Sequence, residues 1–148
     1  MEPTPTSTQA EQLNDLLTYL HDSYNGYKEC ADVIESVAMK PKLENAAQKR
    51  AEMIKALEGA ITKLGKEPVH SGSMVGPLHR LYVDLKALFT AGDEDAILNE
   101  IKRGENTLLN TYKEVLRNEQ LSNDLKPLLE QEMQQIQEDI KELDQASV

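Results

Sequence analysis

Two charged residues interrupt otherwise apolar helical seams. Arg50 falls in the series Leu43, Ala47, Arg50, Ile54, Leu57, Ile61, Leu64, and Glu105 in the series Leu98, Ile101, Glu105, Leu108, Tyr112, Val115. Both series alternate steps of three and four, the rhythm of a helix face turned towards a core. A guanidinium is tolerable in such an interior only beside carboxylates, and a carboxylate only beside a cation or donors. The spacing therefore predicts a charge-assisted hydrogen bond between Arg50 and Glu105, with Tyr24 or Tyr27 of the first helix completing a buried polar cluster. The competing arrangement has Arg50 snorkelling to the rim and Glu105 in solvent.

The other chemistry-bearing residues are less well placed. A carboxylate-bridged dinuclear iron centre in a helical bundle takes a Glu from each of two helices and Glu-x-x-His from each of the other two. His21, His70 and His79 are the only histidines, and none stands three residues after a Glu. The last helix offers Gln134 and Gln137 at the matching spacing, and neutral amides are poor substitutes. No metal, no cofactor and no catalytic residue is therefore expected. His79 and Arg80 follow Ser71-Gly72-Ser73 at a helix start and form a candidate anion or ligand site, against the ordinary reading as capping and docking. The run Gly92-Asp93-Glu94-Asp95 lacks the ligand spacing of a calcium loop and reads as a helix start. Cys30 stands alone among apolar helical positions, so it is expected to be buried and inert.

Composition excludes several function classes. Low Gly and Pro, no Trp, one Phe and abundant Glu, Gln, Lys, Leu and Ala imply an all-α chain. Sixteen basic against twenty-six acidic residues give a net charge of -10, which repels phosphate backbones and anionic headgroups. Neither nucleic acid nor membrane is an expected partner. The opening MEPTPTSTQAEQ has neither the basic nor the apolar region of a signal peptide, and no apolar run reaches the roughly 18 residues of a membrane span. Residues 1–8 are expected to be a disordered tail, 9–145 a single domain, and the location cytoplasmic.

The elements that must hold Arg50 and Glu105 follow from the periodicity. A first helix from Gln9 to near Lys40 carries Leu13, Leu17, Leu20, Tyr24, Tyr27, Ala31, Ile34 and Ala38, flanked by Leu16, Cys30, Val33 and Val37. A second opens at Pro41 and stops at Gly65, antiparallel to the first. After a loop from Lys66 to Ser73, a short helix follows, with Leu78, Leu81, Tyr82, Leu85, Leu88 and Phe89 on one face. Gly92 and Asp93 end it and cap a third long helix reaching about Asn118. A fourth, capped among Ser122, Asn123 and Asp124, points Leu125, Leu129, Met133, Ile136, Ile140 and Leu143 inward. The segment from Lys66 to Ala91 can climb roughly 30 Å or more, so the third long helix is expected to run parallel to the second. Arg50 and Glu105 then lie ten positions after Lys40 and twelve after Asp93, within roughly 3 Å of one level.

The order and spacing of Gly26-Tyr27, Arg50, Leu64-Gly65, Ser71-Gly72-Ser73, Leu78-His79-Arg80, Asp84-Leu85-Lys86, Gly92-Asp93, Ala96-Ile97-Leu98, Arg103-Gly104-Glu105 and Tyr112 resemble a bacterial family of ferritin-like four-helix-bundle proteins of unknown function. The resemblance covers nearly everything from Leu13 to Leu143. It implies a ferritin-like bundle with a long crossover containing one short extra helix, and no established activity. Where members place a His late in the final helix this chain has Gln137, which argues against a shared metal site. Arg50 is then read as supplying the cation that metal supplies in relatives. The expected function is a non-catalytic bundle associating with itself, as a homodimer, or with another cytoplasmic protein. The alternatives are a carboxylate-bound di-iron oxidase or iron-storage protein, and small-anion binding near the short helix.

Overall fold

The computed structural model describes residues 5–72, 94–119 and 121–146. They form four helices, α1 (Pro5–Val33), α2 (Met39–Lys63), α3 (Glu94–Leu116) and α4 (Lys126–Ala146), with no strand among them. The short helix expected between α2 and α3, with His79, Arg80, Gly92 and Asp93, lies outside the described residues.

Hydrogen bonds at the helix ends fix the topology. At one end of the bundle Glu94, the first residue of α3, accepts from the backbone N–H groups of Glu35 and Ser36, both at 3.1 Å, just past the end of α1. At the other end Asn118 donates to Gln12 at 2.7 Å, and the Ser122 N–H donates to Gln9 at 3.0 Å. Thus α3 runs antiparallel to α1. The chain leaving α2 is tied to the Gln12 end, where Asn14 donates to the Glu67 carbonyl and accepts from the Val69 N–H. It re-enters at Glu94, at the opposite end, so α2 and α3 are parallel and the bundle has one crossover, as the ferritin-like reading requires.

Two boundaries differ from the sequence expectation. α1 begins at Pro5 rather than Gln9 and ends at Val33 rather than near Lys40. Its end comes early because the Glu35 and Ser36 N–H groups are taken by Glu94 and the Ser36 hydroxyl accepts from the Met39 N–H, opening α2. Pro41 consequently sits in the first turn of α2. Val33 and Val37, expected to widen the apolar stripe, are 48% and 88% exposed, and Ala38 is exposed as well. The end of α2 follows the sequence: Gly65 takes φ +81°, the Lys66 N–H donates to the Ile61 carbonyl and the Gly65 N–H to Thr62. This is the paired-bond C-terminal cap that glycine favours.

The core is two apolar clusters. One gathers Leu13, Leu16, Leu17, Leu20, Met53, Leu57, Leu108, Tyr112, Leu129 and Ile136. The other gathers Tyr27, Cys30, Leu43, Ala47, Leu98, Ile101 and Leu143. On each helix a polar residue that meets the others inside the bundle lies between the two clusters: Ser23 on α1, Arg50 on α2, Glu105 on α3 and Asp139 on α4. Those four residues form a layer through the middle of the bundle.

Candidate functional site: a charged layer inside the bundle

Arg50 is fully buried and Glu105 is 3% exposed. The Arg50 Nη2 donates to Glu105 Oε2, its Nε donates to the Ser23 hydroxyl at 3.0 Å, and that hydroxyl donates to Glu105 Oε1 at 2.6 Å. The ring closed by Arg50, Ser23 and Glu105 satisfies both carboxylate oxygens. On the opposite side Nη1 stands 2.9 Å from Asp139 Oδ2, close enough for strong attraction although the N–H is not aligned along that line. Asp139 Oδ1 accepts from Gln135 at 3.1 Å and faces the Lys49 ammonium at 3.5 Å. The guanidinium also lies 5.5 Å from the centre of the Tyr27 ring, within cation–π range.

Burial works against the Arg50 charge, but Glu105, Tyr27 and Asp139 more than offset it and hold its pKa above the ordinary arginine value. Tyr27 is driven the other way from function as an acid: burial and then the Glu105 charge push its hydroxyl well above the usual tyrosine range. That hydroxyl makes no well-formed hydrogen bond among the described residues.

Of the four residues placed in the buried cluster from sequence, the structure brings Arg50, Glu105 and Tyr27 together. Tyr24 is half-buried and carries Lys28 over its ring at 5.8 Å; the hydroxyl expected of it at Arg50 comes from Ser23. His79 and Arg80 lie outside the described residues. Sequence reasoning missed Asp139, Ser23 and a second polar pair, Tyr112 and Glu132. About two turns of helix from Arg50, the fully buried Tyr112 hydroxyl donates to Glu132 Oε1 at 3.0 Å. Burial pushes the Glu132 carboxyl up to about 7, opposed by that hydrogen bond and by the Arg50 charge. Burial and the Glu132 charge in turn push Tyr112 well above its ordinary value.

A signal for the missed carboxylates exists. Leu129, Glu132, Ile136, Asp139 and Leu143 alternate steps of three and four, and all five are buried, whereas Met133 and Ile140 are only partly so.

The fold is shared with solved structures of low sequence identity. A ferritin-like, diiron-carboxylate protein from Bacillus anthracis str. Ames superposes with a TM-score of 0.78 at 19% identity, covering 99% of this chain and all of that one. A Dps1 mutant from Mycobacterium smegmatis superposes with a TM-score of 0.81 at 12% identity over the whole of both chains. A DPS protein from Vibrio cholerae O1, described as a member of a broad superfamily of ferritin-like diiron-carboxylate proteins, gives 0.73 at 15% identity, covering 95% of this chain and 89% of that one.

A dinuclear iron centre does not fit the side chains of the described residues. Among the described residues no three His, Cys, Asp or Glu side chains converge as a ligand group. Glu105 and Asp139 face a permanently charged guanidinium, and Glu132 is held by Tyr112. No helix among the described residues is long and apolar enough to cross a membrane. Among curated proteins none matches the chain. The sequence profile described as Domain of unknown function (DUF2383) matches residues 8–119, and the chain belongs to that family.

Proposed function

We propose that this protein is a non-catalytic ferritin-like bundle, with Arg50 as its interior cation in place of a metal, acting by association with a second copy of itself or with another cytoplasmic protein. The observation that carries this reading is the charged layer. Arg50, with no exposed surface, is fixed by Ser23, Glu105 and Asp139 from the other three helices. A guanidinium in that position cannot be deprotonated or exchanged, so the layer supports packing rather than turnover. With the interior committed to packing, the outer faces are the surfaces left for recognition. Val33 and Val37 are exposed at the turn between α1 and α2, and among the described residues this is the part of the outer surface where large apolar side chains are available to a partner.

The test is metal analysis together with light scattering on protein purified without chelators. The expected result is iron and manganese well below one ion per chain, and a mass above that of one chain or capture of a partner protein. One or more tightly held ions per chain, with core carboxylates as ligands, would overturn the proposal in favour of a carboxylate-bound oxidase or storage protein.

A further inference from the structure

The second polar pair borders an opening. α2 and α4 pack sparsely against each other and leave a cleft of about 210 Å³ between them. Met53, Ala56 and Leu128 give it apolar walls, and Glu132 lines it from the core side. Glu132 is 4% exposed, and while its Oε1 accepts from Tyr112, its Oε2 has no hydrogen-bond partner among the described residues. A buried carboxylate oxygen without a donor is costly, and the side chain that carries it lines the cleft.

We propose that this cleft binds a small primary alkylammonium ion, with the ammonium donating to Glu132 and the alkyl body lying against Met53, Ala56 and Leu128.

The lining selects that chemistry. Glu52 and the amides of Gln131 and Gln135 supply further acceptor oxygens, and an ammonium brings three donors and no acceptor. The one cation of the lining, Lys49, faces Asp139 at 3.5 Å and so does not neutralise Glu132. An anion would meet Glu132 and Glu52 at once. A hard divalent ion favours several carboxylates converging on one point, and among the described residues no three His, Cys, Asp or Glu side chains are grouped to hold a metal ion. The volume is below the roughly 300 to 1,000 Å³ of drug-sized sites, which limits the occupant to a few heavy atoms. Oε2 is covered at rest, and the ammonium reaches it by rotation about the terminal carboxylate torsion, which is soft.

Binding of the ion should depend on pH. Among the described residues the groups bearing on Glu132 are Tyr112 from α3, Arg50 on the α2 side, and Glu52 and Lys49 at the cleft. Tyr112 and Arg50 favour the carboxylate, while burial favours the acid. An ammonium pairs with the carboxylate and displaces the proton. With the carboxyl near 7, apparent affinity should tighten roughly tenfold from about pH 6 to about pH 8.

The experiment titrates the isotope-labelled full chain with n-butylammonium chloride and follows amide shifts at both pH values. Saturable shifts at Met53, Ala56 and Leu128, tightening with pH and abolished in Glu132→Gln with the helix content unchanged, are the expected result. No saturable shift at millimolar probe, equal affinity at both pH values, retained binding in a folded Glu132→Gln, or tighter binding of manganese(II) or inorganic phosphate at the same residues overturns the proposal. The wild-type pH comparison decides the matter even if the variant does not fold. This inference is independent of the association reading, since neither metal content nor molecular mass bears on the cleft.

Discussion

Arg50 and Glu105 meet in the interior from two parallel helices and share the Ser23 hydroxyl as a common bridge. Asp139 stands on the other side of the guanidinium, so one cation answers two carboxylates. Truncation of Arg50 to alanine strands both, and opens a cavity where a long side chain had been. Arg50→Ala is therefore expected to cost about 3 to 5 kcal/mol, read as a lower midpoint in urea unfolding.

Replacement of the layer by apolar residues separates interior charge from interior volume. Arg50→Met with Glu105→Leu should recover only part of the loss, because among the described residues Asp139 then keeps only Lys49 and Gln135 as partners. Adding Asp139→Leu should bring stability back to near or above that of the unaltered protein, as with other buried ion clusters replaced by well-packed apolar groups. Effects that simply add across the three positions would mean the charges are not coupled.

Glu132 gives the fold a pH dependence of definite sign. Its carboxyl ordinarily titrates at 4.5 and is pushed up to about 7 in the fold, so the native state holds the proton more tightly than the unfolded chain. The stabilisation is fully present below pH 4.5 and is lost as pH rises to about 7, a change on the order of 3 kcal/mol. Glu132→Gln should flatten this part of the stability profile, and unfolding curves at about pH 5 and about pH 8 suffice to compare the two proteins.

Tyr112→Phe removes the donor to Glu132 and leaves the packed ring in place. The expected loss is about 1 to 2 kcal/mol, larger above neutral pH, where the carboxylate has lost its partner. A loss that is independent of pH would show that the hydroxyl contributes through packing alone.

Cys30 has no exposed surface, and burial, then the Glu29 charge, push its thiol up to about 12. A thiol reagent should leave the native protein unmodified over hours and react promptly once the chain is unfolded in urea. Prompt labelling of the native protein would place α1 among the elements that open locally.

Much of this was legible because periodicity is a strong signal over long helices. The glycine cap at Gly65 and the parallel course of α2 and α3 followed from backbone chemistry and chain reach. Arg50 and Glu105 stood out because each breaks an apolar series. Glu132 and Asp139 did not, because the last helix has two rows of the same rhythm, and the more apolar one, through Met133 and Ile140, drew the reading away from the row that is buried. Ser23 carries no sequence signal, since a small hydroxyl beside a seam usually bonds its own helix. The early end of α1 depends on a carboxylate from α3, and propensity within α1 contains no trace of it.

The two clasps between α1 and α3 have a consequence for how this chain tolerates changes of length. Glu94 grips the residues just past one end of α1, while Gln9 and Gln12 grip Asn118 and Ser122 near the other. A single residue inserted within α1 would turn everything beyond it by about 100° and advance it by 1.5 Å. One clasp would be pulled out of line, and with an insertion before Ser23 the bridge between Arg50 and Glu105 would swing away as well. Insertions and deletions should therefore be purged from the spans Gln9 to Ser36 and Glu94 to Ser122 and accumulate outside them, so that within both spans relatives vary in residue type while keeping a fixed count.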